Sequence, residues 1–76
     1  MPHVAIKLYP GRSEQQKARL CDEIVKAVTA ALQCGEQSIS VSIEDIEQGD
    51  WTVKVYEPDI LGKWHKLYKK PGYEPR

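Results

Sequence analysis

Between Pro2 and Ile43 the spacing of apolar residues changes twice, and this restricts the fold more than any other feature of the chain. From Pro2 to Tyr9 the period is two: Pro2, Val4, Ile6 and Leu8 alternate with His3, Ala5, Lys7 and Tyr9, as in a strand buried on one side. Pro10-Gly11 interrupts it. Ser13 and Gln16 then have the spacing of a capping box, in which each side chain satisfies an orphan N–H of a first helical turn. The period lengthens to that of a helix, with a stripe through Leu20, Ile24, Ala27 and Ala31 that Cys21, Val25, Val28 and Leu32 broaden. Arg19–Glu23 and Asp22–Lys26 are spaced to pair on its wet face. Gly35 is the expected stop. Ile39, Val41 and Ile43 next alternate with Ser38, Ser40, Ser42 and Glu44, a second strand.

A strand, a helix of about twenty residues and a strand make a β-α-β unit, whose crossover packs the helix back on its sheet only if the strands run parallel. Gln48-Gly49-Asp50 is a turn signal. Trp51 to Tyr56 reads as a short third strand, with Trp51, Val53 and Val55 in phase. Pro58 suits the first turn of a C-terminal helix, where its missing N–H costs nothing, and Ile60, Leu61, Trp64, Leu67 and Tyr68 supply a stripe. Pro71-Gly72 ends it, and the residues after it read as a loose tail or an interface strap. Without repeat or linker, residues 1–76 read as one α/β (α+β) domain.

A chain of 76 residues buries only about 60% of the surface its unfolded state exposes, so disulfides, a metal or a partner subunit must supply the rest. Cys21 and Cys34 fall thirteen positions apart in the expected helix, roughly 20 Å by its rise, which is too far for a disulfide. His3 and His65 are isolated, so no metal site is expected, and oligomerisation remains. Two thiols, no long apolar run and no leader-like start imply a cytoplasmic protein. Eleven basic and eleven acidic side chains cancel, removing the field that draws a protein to nucleic acid or to an anionic membrane. Locally, Glu44, Asp45, Glu47 and Asp50 are acidic, and Lys63, Lys66, Lys69 and Lys70 are basic. The basic stretch is either a solvated face or an anion patch.

Chemistry centres on Pro2. An α-amine, with a pKa of about 7.7–8.0, is already close to the range a general base needs. Removal of Met1 exposes a secondary amine whose ring fixes its direction. Apolar neighbours in phase with it disfavour the ammonium form and lower its pKa. The plainer alternative is that Pro2 merely begins an edge strand. Arg12 stands just before a helix N-terminus, either as a solvent-facing loop residue or as a bidentate holder of a carboxylate. Trp51 either walls a site or fills a core or interface. His3 and His65 read as acid–base groups or as solvated rings, and Ser38, Ser40 and Ser42 as a polar strand face.

Pro2 opening a strand, the run Pro10-Gly11-Arg12-Ser13-Glu14-Gln15-Gln16-Lys17, a long helix, a Ser/Ile/Val strand and Gly49-Asp50-Trp51 together resemble the 4-oxalocrotonate tautomerase family over residues 2 to 53. The ending Lys69-Lys70-Pro71-Gly72-Tyr73 is similar to the longer bacterial phenylenolpyruvate-type members. The resemblance implies a β-α-β fold dimerised through its sheet, with Pro2 as the catalytic proline moving a proton between enol oxygen and carbon. It makes Arg12 the holder of the substrate carboxylate and Trp51 the aromatic wall. Ser40 stands where the shorter enzymes have a second arginine from a neighbouring subunit, so a monocarboxylate is favoured over a dicarboxylate. The extension from Glu57 suggests a homodimer in place of a hexamer.

The reading is therefore a cofactor-free isomerase that interconverts enol and keto forms of 2-hydroxy-2-enoates such as phenylenolpyruvate. Pro2 is its catalytic residue, and Arg12, Trp51 and Ser40 line the substrate site. Hydration with dehalogenation, or decarboxylation, on the same scaffold is the alternative, and Asp50 as a water-activating carboxylate would favour it. A third reading is a non-catalytic oligomerising module in which Lys63 to Lys70 docks an acidic partner.

Overall fold

The alternating segments form the strands they predict. In the computed structural model, which describes residues 1–74, β1 spans His3–Leu8 and β2 spans Ser40–Asp45. They pair in parallel, in a register running from His3 opposite Ser40 to Leu8 opposite Asp45. Pro2, Val4, Ile6, Val41 and Ile43 are half-buried, whereas His3, Ala5, Ser40, Ser42 and Glu44 are exposed, as the period of two requires. The chain divides into two compact units, Met1–Asp45 and a second beginning at Ile46.

Helix α1, Glu14–Leu32, begins on a complete capping box. The Gln16 amide donates to Ser13 Oγ at 3.0 Å, and the Ser13 amide donates to Gln16 Oε1 at 2.9 Å. Its half-buried side is Lys17, Cys21, Ile24, Val25, Val28 and Thr29. Half of the expected stripe turns inward, namely Cys21, Ile24, Val25 and Val28, whereas Leu20, Ala27, Ala31 and Leu32 are exposed, so the covered side is rotated toward Cys21 and Val25. The apolar arc of α1 is wider than a two-stranded ribbon can cover, so one flank stays open. Lys26 pairs with Glu23 at 3.7 Å, one turn back by three residues, rather than with Asp22.

Gly35 does not close the helix. Gln33 takes the left-handed conformation there, at φ 54° and ψ 48°, and Gly35 is an extended residue preceding a 3₁₀ turn over Glu36–Ser38. Glutamine pays a steric cost in that region that glycine does not, which is why sequence favours the wrong residue. Cys34 consequently lies beyond α1, and Cys21 and Cys34 are both free thiols.

The expected third strand is a helix. After a 3₁₀ turn over Gln48–Asp50 the chain runs as a π-helix over Thr52–Ile60 and a 3₁₀ segment over Leu61–Lys66. A strand would turn Trp51, Val53 and Val55 to one side, yet Val53 is 70% exposed and Val55 only 5%. The covered residues are instead Trp51-Thr52, Val55-Tyr56 and Asp59-Ile60, pairs that recur every four positions. Pro58 lies inside this helix and cannot donate to the carbonyl behind it. The Leu61 amide donates to both Glu57 and Tyr56 carbonyls, the wider turn of a π register. Ile46, Val55 and Tyr56 are the buried apolar residues among those described, and all three belong to the second unit. The stripe expected after Pro58 is largely open, with Leu61, Trp64 and Tyr68 exposed. Of the expected tail, Pro75 and Arg76 lie outside the described residues.

Candidate active site

Pro2 continues the extended line of β1 toward its start, half-buried on the side of Val4 and Ile6. Its carbonyl accepts the Ser40 amide at 3.2 Å, which ties the two residues together at the N-terminal end of the sheet. Met1 is fully exposed, so the bond that must be cut to free the Pro2 nitrogen is accessible. On the outer face His3 Nδ1 and Ser40 Oγ are 2.7 Å apart.

Arg12 lies at the other end. It follows Gly11, whose φ of 121° only glycine adopts readily, and precedes the Ser13 cap. The first turn of α1 is fastened to the C-terminal end of β2 by Lys17, whose Nζ lies 3.0 Å from Asp45 carboxylate oxygens and 3.5 Å from Glu14. Asp45 is opposite Leu8 in the sheet. Six residue steps separate Pro2 from Leu8, roughly 20 Å of extended chain. Within one chain, then, Ser40 is brought to Pro2 and Arg12 is not. The hydrogen bond from Lys17 to Asp45 raises the ammonium pKa above its ordinary 10.5, the Asp45 and Glu14 charges add to this, and desolvation partly opposes it.

Trp51 belongs to the second unit and is half-buried. Its indole N–H donates to Tyr73 Oη at 3.1 Å. The Tyr73 ring in turn lies 6.0 Å from that of Tyr56, tilted by 47°. Asp50, the carboxylate that would activate water, is in an ion pair with Lys54 at 3.3 Å. Lys70 of the basic stretch sits over the Trp64 ring at 5.4 Å. Among the described residues there is no group of three His, Cys, Asp or Glu side chains placed to hold a metal ion.

Lys17 and Tyr73 carry no role in the sequence reading, and His3 figures there only as an acid–base group or a solvated ring, without its partner Ser40. Lys17 was visible only as the last residue of the Gly-Arg-Ser motif, and Tyr73 only as the residue after Pro71-Gly72. Nothing in the alternation of β1 indicates that His3 pairs with Ser40.

A family model described as "Tautomerase enzyme" matches residues 2–57, from the proline to just past Trp51. The chain belongs to the tautomerase family. Its relatives carry the same name over nearly their whole length. A protein of Xylella fastidiosa named "Probable tautomerase" is 37% identical over 73 residues, covering 96% of this chain and 89% of the relative. "Tautomerase PptA" of Cronobacter sakazakii is 33% identical over 75 residues, covering 97% and 99%. The crystal structure of YwhB, a homologue of 4-oxalocrotonate tautomerase, superposes with a TM-score of 0.60 at 32% identity, over 62% of this chain and 77% of that one. This tautomerase is accordingly an isomerase with a β-α-β fold, and the reading as a non-catalytic docking module is set aside. Among the described residues no helix is long and apolar enough to cross a membrane.

Proposed function

We propose that this tautomerase interconverts the enol and keto forms of a 2-hydroxy-2-enoate carrying one carboxylate, of the phenylenolpyruvate type, with the freed nitrogen of Pro2 as base and then as acid. The observation that carries the reading is the hydrogen bond from the Ser40 amide to the Pro2 carbonyl, 3.2 Å long. A base at a chain terminus is ordinarily frayed, whereas this one is pinned to a neighbouring strand and half-covered on its apolar side. Partial burial disfavours the cationic ring, so the amine is held neutral and ready to accept the enol proton.

Arg12 supplies the carboxylate clamp and Trp51 an aromatic wall, with Ser40 at the substrate's polar edge. Roughly 20 Å of strand between Pro2 and the Arg12 end exceeds the length of a small enol acid. The site is therefore built from two copies of the chain, Pro2 of one and Arg12 of the next. An antiparallel two-fold pairing of sheet edges has the required symmetry, since it sets the start of one strand beside the end of its mate. The open flank of α1 and the bare sheet edges are the surfaces such assembly would cover, and a homodimer is the smallest assembly that completes the site. We place the reaction in the cytoplasm, with no metal and no cofactor. Hydration or dehalogenation is less favoured, because the Asp50 carboxylate is engaged by Lys54.

The experiment is ketonisation of phenylenolpyruvate by protein whose intact mass shows Met1 removed, compared with Pro2→Ala. General base catalysis contributes about 10²–10⁴-fold, so the variant is expected to lose at least about tenfold in rate. Equal rates would overturn the proposal.

A further inference from the structure

Pro2 is followed by a histidine whose side chain is not free. His3 Nδ1 lies 2.7 Å from Ser40 Oγ, and the Ser40 amide donates to the Pro2 carbonyl at 3.2 Å. A single residue of β2 thus grips two consecutive residues of β1, one by its main chain and one by its side chain. The Pro2 nitrogen precedes that strand, at the N-terminal end of the sheet. His3 occupies the outer face at the same end, where both it and Ser40 are exposed.

The Ser40 hydroxyl is both donor and acceptor, and a neutral imidazole has one nitrogen of each kind. When the Ser40 O–H donates to Nδ1, the ring proton is on Nε2, and that N–H projects away from the pair. The strand holds the ring at its root and Ser40 holds it at its flank. In that tautomer an aimed donor stands one residue from the proposed base.

We propose that His3 is a second catalytic residue of this site, donating from Nε2–H to the oxygen of the enol as it becomes an enolate, and that Ser40 is its positioning residue. This rests on the reading of Pro2 as the base. In the step, the enol O–H proton passes to the Pro2 nitrogen and its electron pair stays on oxygen as an enolate. The oxygen pair then forms the carbonyl while the former C=C pair takes the proton back from the Pro2 ammonium at carbon. Nothing else is consumed or released. Negative charge exists on oxygen only between the two transfers, so a donor fixed beside that oxygen stabilises the intermediate more than the substrate. A neutral donor serves here because it does not compete with Pro2 for the enol proton.

The test compares Pro2→Ala, His3→Phe, His3→Gln and Ser40→Ala for phenylenolpyruvate ketonisation, on mass-verified protein with Met1 removed. Loss of a single oxyanion donor costs about 10²–10³-fold in kcat, so His3→Phe should fall by that order with little change in KM. His3→Gln, whose amide still donates, should recover part of the loss. Long-range ¹H–¹⁵N spectra should show the wild-type His3 ring protonated at Nε2 and accepting at Nδ1, and Ser40→Ala should abolish that preference while lowering kcat less than His3→Phe. Both positions are exposed, and unchanged circular dichroism will certify the fold. If His3→Phe keeps the wild-type kcat while Pro2→Ala is inactive, the role of His3 is refuted and the Pro2 reading stands. If Pro2→Ala is itself as active as wild type, both fall. A ring protonated at Nδ1 in the wild type also refutes the donor.

Discussion

The Lys17 ammonium lies 3.0 Å from the Asp45 carboxylate and closes the first turn of α1 onto the last residue of β2. Its effect on pH dependence follows from the raised lysine pKa, caused first by that hydrogen bond. A group whose pKa is higher in the folded state contributes stability that is complete below its unfolded value of 10.5 and is lost as pH rises through the folded value. We expect the melting temperature of the wild type to fall above about pH 10.5 by more than that of Lys17→Met, whose curve lacks this contribution. Parallel curves for the two proteins between neutral pH and pH 12 would show the pair to be inert.

The same contact fixes Arg12 at the sheet end remote from Pro2, which makes the two-copy site testable by complementation. Pro2→Ala and Arg12→Ala should each be nearly inactive. On the proposed two-fold dimer, variants unfolded together and refolded give half heterodimers, each with one site with both groups intact and one with neither. Activity should then return to about a quarter of wild type. No recovery in a mixture shown by mass spectrometry to contain heterodimers would mean that each site draws both groups from one chain.

Much of this was legible in the sequence because the relevant signals are local. The alternation of β1 and β2 and the Ser13–Gln16 cap are decided within a few residues, and the structure reproduces each. Residues 51–56 were misread because Trp51, Val53, Val55 and Tyr56 are good strand formers, and a period of two is hard to exclude over so short a run. What decides that segment is non-local burial: Tyr56 is covered, and its ring meets that of Tyr73. The same holds for the site. Pro2 and Arg12 stood out through their own chemistry, whereas Lys17, His3 and Tyr73 matter through partners 28, 37 and 22 positions away.

Tyr73 lies beyond the stretch that matches the family model, yet its hydroxyl oxygen accepts a hydrogen bond from the Trp51 indole N–H. Tyr73→Phe keeps a ring against Tyr56 and removes only that acceptor. We expect Trp51 to gain freedom about its side-chain torsions, so KM for the enol acid should rise a few-fold with kcat nearly unchanged. With Trp64→Phe as background, so that Trp51 is the sole tryptophan, its emission should shift and its anisotropy fall. Unchanged KM and anisotropy together would show that the hydrogen bond does not order the ring.

Gly11 provides the last test, because it is the positive-φ residue immediately before Arg12. A Cβ built there meets nothing within 4 Å, so replacement by alanine is sterically open and the cost is confined to the φ of 121°. A non-glycine residue held in so sparsely populated a region costs on the order of 1–3 kcal/mol. Urea unfolding of Gly11→Ala should register a loss in that range. On the proposed two-copy site, a loop that rotates to relieve the strain carries Arg12 away from its partner's Pro2, so kcat/KM for the carboxylate substrate should fall as well. Gly11→Asn, whose side chain tolerates positive φ better, should lose less on both measures. If alanine and asparagine are equally stable and equally active, the left-handed turn is not what positions Arg12.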